Sequence, residues 1–168
     1  ATGAIERPLI FSDNDRPGIM LAGAYRAYAN RYGVIPNKNV VVFTNNDDAY
    51  RTAIDLINFG VNIPAIIDVR LDPDGELPTR ATALGIEILD NMVITRVIGS
   101  KTIRAVEVMA LSSERNGVIG EPHIFECDGI ASSGGWNPVI HLHCQSGGKA
   151  RYDEVRGIYL AEDNKKLT

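Results

Sequence analysis

The residues Thr44-Asn45-Asn46-Asp47-Asp48-Ala49-Tyr50 link an apolar, β-branched run, Val40-Val41-Val42-Phe43, to a stretch with helical periodicity. A strand, a tight turn and a helix in that order can bind a diphosphate, because backbone amides at the helix N-terminus converge on the anion. Such a site needs glycines in the turn so that the backbone can approach the pyrophosphate. No glycine occurs between Phe43 and Gly60. Asn45 and Asn46 tolerate left-handed backbone and can still form the turn. Asp47 and Asp48 place carboxylates where the helix dipole would otherwise favour an incoming anion, so they stabilise the helix and repel a diphosphate. Asp68, at the end of the next apolar run, is positioned to hold a ribose diol in a working site. Without the glycines its expected role is capping or solvation, and the crevice is expected to be an empty scaffold.

A second group of residues lies near the two ends. Gly134 and Gly135 let a ligand come close to the backbone, and Trp136 offers a flat face with one hydrogen-bond donor. Thr2 and Gly3 have the same small, open character. The plain alternative is a pair of tight turns at a domain junction. His141-Leu142-His143 would put two imidazoles on one face if extended, with Cys144 adjacent, but no third metal ligand stands at suitable spacing. Gly147-Gly148-Lys149 lacks the earlier glycine and the following Ser or Thr of a phosphate loop. The serines near Gly134 lack a strand-to-helix nucleophile elbow. No catalytic and no metal-binding residues are assigned.

These groups must be positioned by regular elements. Asn14, Asp15 and Pro17 are helix-start residues, Gly33 stands at a C-cap, and apolar residues repeat between them, which predicts an amphipathic helix over 13–32. The run Val40–Phe43 reads as a strand buried on both faces. A helix is expected over 47–59 with Ala49, Ala53, Leu56 and Ile57 on one face, then a strand over 65–69. Asp72-Pro73-Asp74-Gly75 predicts a turn, 78–84 a short helix capped by Gly85, and 86–89 a third parallel strand. From Met92 the pattern changes to alternation: 92–98, 102–110 and 123–127 read as a meander, with 112–121 as a polar surface loop. Residues 129–132 return as a short strand into the Gly134-Gly135 turn.

The chain has 168 residues, 45% hydrophobic and 23% charged, enough for one continuous core. A formal net charge of -4, with no run of lysine or arginine, argues against nucleic-acid and lipid-surface partners. No apolar stretch approaches the roughly 20 residues that span a bilayer, so a cytoplasmic protein is expected. Cys127 and Cys144 form no CxxC pair. The start Ala1-Thr2-Gly3-Ala4, without an initiator methionine, predicts a segment of a longer chain.

Two βαβ steps, a meander and a returning strand predict an α/β fold. It is expected to be a Rossmann-like parallel sheet with βαβ units plus a three-stranded β-meander, an order that resembles the NAD(P)H-type domain of two-dinucleotide-domain flavoproteins. Residues 5–130 are expected to form that domain. Residues 1–4 and 131–168 are expected to be junction segments returning to a first dinucleotide domain outside this chain.

The wording of three stretches is more specific than the pattern: ATGAIERPLIFSDNDRPGIML at 1–21, VVFTNNDDAYRTA at 41–53 and SGGWNPVIHLHCQSGG at 133–148. The sequence resembles the alpha subunits of heterotetrameric sarcosine oxidases over nearly its whole length. The resemblance implies a parent enzyme that oxidatively demethylates sarcosine to glycine with formation of hydrogen peroxide, in which this segment is a nucleotide-site wall and scaffold. It implies NAD in the parent alpha subunit, held chiefly by the first dinucleotide domain, with FAD and FMN in the parent complex and no tight cofactor binding by this segment. Carried over by position, Thr2, Gly3, Gly134, Gly135, Trp136, Asn137 and Val139 would border that NAD. The implied partners are the rest of the alpha chain and the other subunits. Related alpha-type subunits act on other amines and amino acids, so the parent substrate stays open. Two alternatives stand beside this reading: an active NAD(P)H-binding domain like that of thioredoxin reductase, and an interaction module whose apolar helix, Pro17 to Tyr32, docks a partner subunit.

Overall fold

The computed structural model describes residues 3–162, which form two compact units, one of residues 8–135 and one of residues 3–7 with 136–162. The smaller unit begins with strand β1 (Ala4–Glu6), and the larger opens with β2 (Ile19–Leu21) and helix α1 (Ala22–Tyr32). Then follow β3 (Val40–Thr44), α2 (Asp48–Asn58), β4 (Ala65–Asp68), α3 (Glu76–Ala83) and β5 (Glu87–Leu89). Strands β6 (Met92–Ile98), β7 (Ala105–Leu111) and β8 (Val118–Glu126) lead to β9 (Gly129–Ser133), which closes this unit. The smaller unit resumes with β10 (Trp136–Pro138), α4 (His141–Gln145), β11 (Ala150–Asp153) and β12 (Ile158–Ala161).

The larger unit is an α/β domain with a five-stranded sheet in the order β2-β9-β3-β4-β5. Every neighbouring pair in it is parallel. Strands β6, β7 and β8 form the antiparallel meander. Alternation along β3 explains why that run is apolar throughout. Val40 and Val42 pack with Ala22, Tyr25, Ala49, Ala53 and Leu56 on the helical side, whereas Val41 and Phe43 pack with Met92, Ile94, Val97, Val106 and Val108 of the meander. Ile66 and its neighbours Ala65 and Ile67 divide between the same two layers. A central strand covered on both faces has no solvent side to mark with polar residues.

Several sequence expectations are corrected. The helix expected over 13–32 begins only at Ala22, because Ile19–Leu21 is drawn into the sheet as β2, paired with Ile130, Ala131 and Ser132. Sheet pairing here overrides the helical spacing of Met20 and Leu21. Gly33 does end α1, with φ 63°. The loop expected over 112–121 is shorter, since β8 starts at Val118, opposite Leu111. Residues 136–138 leave the glycine turn as a strand, pairing with β1 through Glu6–Trp136, Ile5–Asn137 and Ala4–Pro138. His141 to Cys144 are helical rather than extended, so His141 and His143 do not share a face. The tail forms a hairpin of β11 and β12, with Tyr152 and Tyr159 directly opposite and their ring centroids 5.1 Å apart.

Candidate functional site

In an open parallel sheet, ligands bind outside the carboxyl ends of the strands, where strand order reverses. Here that place lies beyond β3, β9 and β4, above the N-terminus of α2. The turn after Thr44 is built by side chains in place of glycines. The Asn46 main-chain N–H donates to Thr44 Oγ1 at 3.0 Å, and the Asn46 side-chain amide donates to Ser133 Oγ at 3.0 Å and Ser133 O at 3.2 Å. Asn45 N–H reaches Ser133 O at 3.3 Å. These bonds fasten the turn to the end of β9 across the position where strand order reverses.

Two main-chain amides at the start of α2 are already engaged. Asp48 N–H donates to Asn46 Oδ1 at 3.1 Å, and Tyr50 N–H donates to Asp47 O at 3.1 Å. The first turn of α2 carries the Asp48 carboxylate, 3.4 Å from Arg26 and 3.7 Å from Arg51. An anion placed there would face two carboxylates and few open donors.

Asp68 is fully buried at the end of β4, which excludes the expected solvated role, while its bond from the Arg70 main-chain N–H keeps a local capping one. Its carboxylate accepts the Tyr50 hydroxyl at 2.8 Å, the Arg70 main-chain N–H at 2.9 Å and the Arg70 Nη2 at 2.7 Å. Arg70 Nη1 lies 2.8 Å from Asp47. One guanidinium thus joins the strand-end carboxylate to a carboxylate at the start of α2. Burial and the bond to Asp68 push the Tyr50 phenol upward, while the bond to Asp68 holds Arg70 firmly ionised. The position that would bind ribose is occupied from within by a protein cation and a phenol. The residues at this crevice do not fit a dinucleotide.

Arg70, Tyr50 and Ser133 take part here without having been singled out in the sequence. The one signal for Arg70 was its place two residues beyond a strand-end carboxylate.

The residues near the chain ends divide between the units. Thr2 lies outside the described residues. Gly134 is buried and Gly135, at φ 90°, ends the larger unit in a conformation that favours glycine. In the smaller unit, Val139 N–H donates to Gly3 O at 3.0 Å, and Asn137 sits opposite Ile5 beside an exposed Trp136. Gly3, Asn137 and Val139 are therefore brought together by the β1–β10 pair. The same unit contains a cavity of about 540 Å³ lined by Ile5, Asn137, Val139, Cys144, Tyr152 and Tyr159, among others. Among the described residues, no group of three or more His, Cys, Asp or Glu is arranged to hold a metal, and no helix is long and apolar enough to cross a membrane.

No family model matches the chain. Comparison with curated proteins finds 40% identity over 166 residues with sarcosine oxidase subunit alpha of Rhizobium meliloti (strain 1021), covering 99% of this chain. This chain is homologous to part of the sarcosine oxidase alpha subunit. It spans 16% of the length of that relative. Among solved structures, a bacillithiol disulfide reductase from Staphylococcus aureus superposes with a TM-score of 0.65 at 18% identity, covering 99% of this chain and 48% of that one. Thioredoxin reductase from T. acidophilum superposes at 0.63 and 17% identity, covering 99% and 56%. Both show the fold, that of the dinucleotide domains of flavoprotein reductases.

Proposed function

We propose that this chain is the second, nucleotide-type domain of the alpha subunit of a sarcosine oxidase-like enzyme, and that it acts there as scaffold and site wall rather than as a catalytic centre. The observation that carries this reading is Arg70 held between Asp47 and Asp68, which fills the crevice its fold would otherwise offer to a nucleotide. The parent oxidatively demethylates sarcosine to glycine and forms hydrogen peroxide. It holds NAD in the alpha subunit, chiefly on a first dinucleotide domain to which residues 1–4 and 131–168 return. Thr2, Gly3, Gly134, Gly135, Trp136, Asn137 and Val139 border that NAD. FAD and FMN belong to the rest of the complex, the partners are its other subunits, and the setting is cytoplasmic.

The homology supports the parent enzyme, and the self-occupied crevice supports the scaffold role. The test uses the parent assembly. Sarcosine-dependent hydrogen peroxide formation is expected, and NAD released on denaturation should persist after Asn45→Ala but be lost after Gly3→Val. Loss of NAD on Asn45→Ala, with Gly3→Val harmless, would return the nucleotide to the crevice of this domain.

A further inference from the structure

Strands β7 and β8 are joined by a short polar loop, Ser112-Ser113-Glu114-Arg115-Asn116-Gly117, which holds the one Asn-Gly pair of the sequence. An asparagine followed by glycine can react with its own backbone. The nitrogen of the following residue attacks the side-chain Cγ to close a cyclic imide, and a side chain on that residue obstructs the approach; glycine has none. Each of the other asparagines precedes a residue that carries a side chain. The two Asp-Gly pairs, at 74–75 and 128–129, offer carboxylates, which are poorer electrophiles than an amide.

The folded loop leaves Asn116 and Gly117 both exposed. A Cβ at Gly117 would meet nothing within 4 Å among the described residues, so the attacking nitrogen belongs to a residue with open space around it. Ser112 Oγ donates to Asn116 Oδ1 at 3.2 Å, which draws electrons away from the amide carbon. The loop is closed by the Ser112 N–H, which donates to Gly117 O at 2.9 Å, and by the Arg115 N–H, which donates to Ser112 O at 2.8 Å. Neither bond uses the Gly117 N–H. Asp128 is held quite differently, its carboxylate accepting the main-chain N–H groups of Lys38 at 3.1 Å and Asn39 at 2.8 Å.

We propose that Asn116 is a site of self-modification, at which ring closure by the Gly117 nitrogen converts the amide to α-linked and β-linked aspartyl residues. The Gly117 N–H gives its proton to hydroxide, the nitrogen bonds to Asn116 Cγ, and the Cγ–Nδ2 bond breaks as ammonia leaves with a proton returned by water. Water then opens the imide at either carbonyl. The balance is one water consumed and one ammonia released, with no oxidant, reductant or partner required. This inference stands apart from the scaffold reading. Its product changes the loop beside the crevice: Asn116 Nδ2 donates to Glu114 Oε2 at 2.9 Å, and a carboxylate in its place repels Glu114. The β-linked form also adds a backbone carbon between the hydrogen-bonded ends Ser112 and Gly117, next to Arg115, whose Nη2 donates to Val69 O at 2.7 Å.

The test is made on the full-length protein that carries this chain, incubated folded at pH 6 and at pH 8, with peptide mass spectrometry separating the amide from the two acids. Acid is expected at position 116 before the other asparagines of this chain convert, faster at pH 8, with the β-linked form present. Gly117→Val places its side chain in open space at a φ outside the left-handed region. It is expected to slow conversion by about tenfold or more, with melting unchanged. Position 116 staying an amide in the folded protein, conversion equally fast in Gly117→Val, or α-linked acid alone would each overturn the proposal while leaving the functional reading in place.

Discussion

Arg70 Nη2 lies 2.7 Å from the carboxylate of Asp68, a residue with no exposure to solvent. Arg70→Met would leave that carboxylate with the Tyr50 hydroxyl and one main-chain N–H. Removing one member of a buried pair costs about 3 kcal/mol at the low end of its range, the end that applies because Arg70 is 34% exposed. Asp68→Asn keeps a hydrogen-bonding group of the same shape and should cost less. Urea denaturation of the two variants measures both, and a loss below about 0.5 kcal/mol for Arg70→Met would show that Asp68 does not depend on it.

The groups displaced by burial predict weakening in base. Burial pushes the Cys127 thiol up to about 12, and it pushes the Tyr25 and Tyr50 phenols upward as well. Above the ordinary thiol range, which the unfolded chain retains, the unfolded state has released its proton while the folded state still holds it. Stability therefore falls as pH rises from about 9 toward 12, because the folded state binds more protons there. Cys127→Ala should reduce the slope of stability against pH in that window. An unchanged slope would contradict the assignment.

Exposure separates the two thiols. Cys127 is 4% exposed and Cys144 is exposed. A maleimide at pH 7 should label Cys144 in the native chain and Cys127 only after unfolding. Mass spectrometry of tryptic peptides reads this directly, and equal native labelling would contradict the buried position of Cys127 behind the meander.

Close approach makes Gly129 a sensitive position at the start of β9. A Cβ there would overlap the Tyr25 hydroxyl and lie 2.8 Å from Asn37 Cγ. Neither neighbour can easily give way. The Tyr25 hydroxyl lies 2.9 Å from Gly18 O and 2.6 Å from Asn37 Oδ1, and the Asn37 amide donates to Asp128 O at 2.7 Å. Gly129→Ala should cost about 1–3 kcal/mol through overpacking. The cost should shrink in a Tyr25→Phe background, where the hydroxyl is gone; additive effects in that double-mutant cycle would mean the two positions do not touch.

What the sequence discloses follows from how local each signal is. Val40–Thr44 and the Ala49, Ala53 and Leu56 face of α2 are legible because a buried central strand and an amphipathic helix repeat their pattern over several residues. Ile19–Leu21 is not, since three residues carry no period and their pairing with 130–132 depends on chain more than a hundred positions away. The Trp136–Pro138 strand is hidden for the same reason, its partner being Ala4–Glu6. The missing glycines and added carboxylates at Thr44–Asp48 were legible. The occupant was not, because Arg70 meets Asp47 only after β3 and β4 have aligned the two ends.

The self-occupied crevice is tested most directly by calorimetric titration of the chain with NAD and with NADH at low salt, with amide shifts followed in parallel. A turn without glycines and a cation already paired at the ribose position leave too few donors to offset the cost of ordering a dinucleotide. The predicted result is weak affinity at most, with any perturbation confined to Gly3 and to residues 134–139. Micromolar binding, with shifts centred on Asn45, Asn46 and Asp68, would contradict it and make the domain an active nucleotide site.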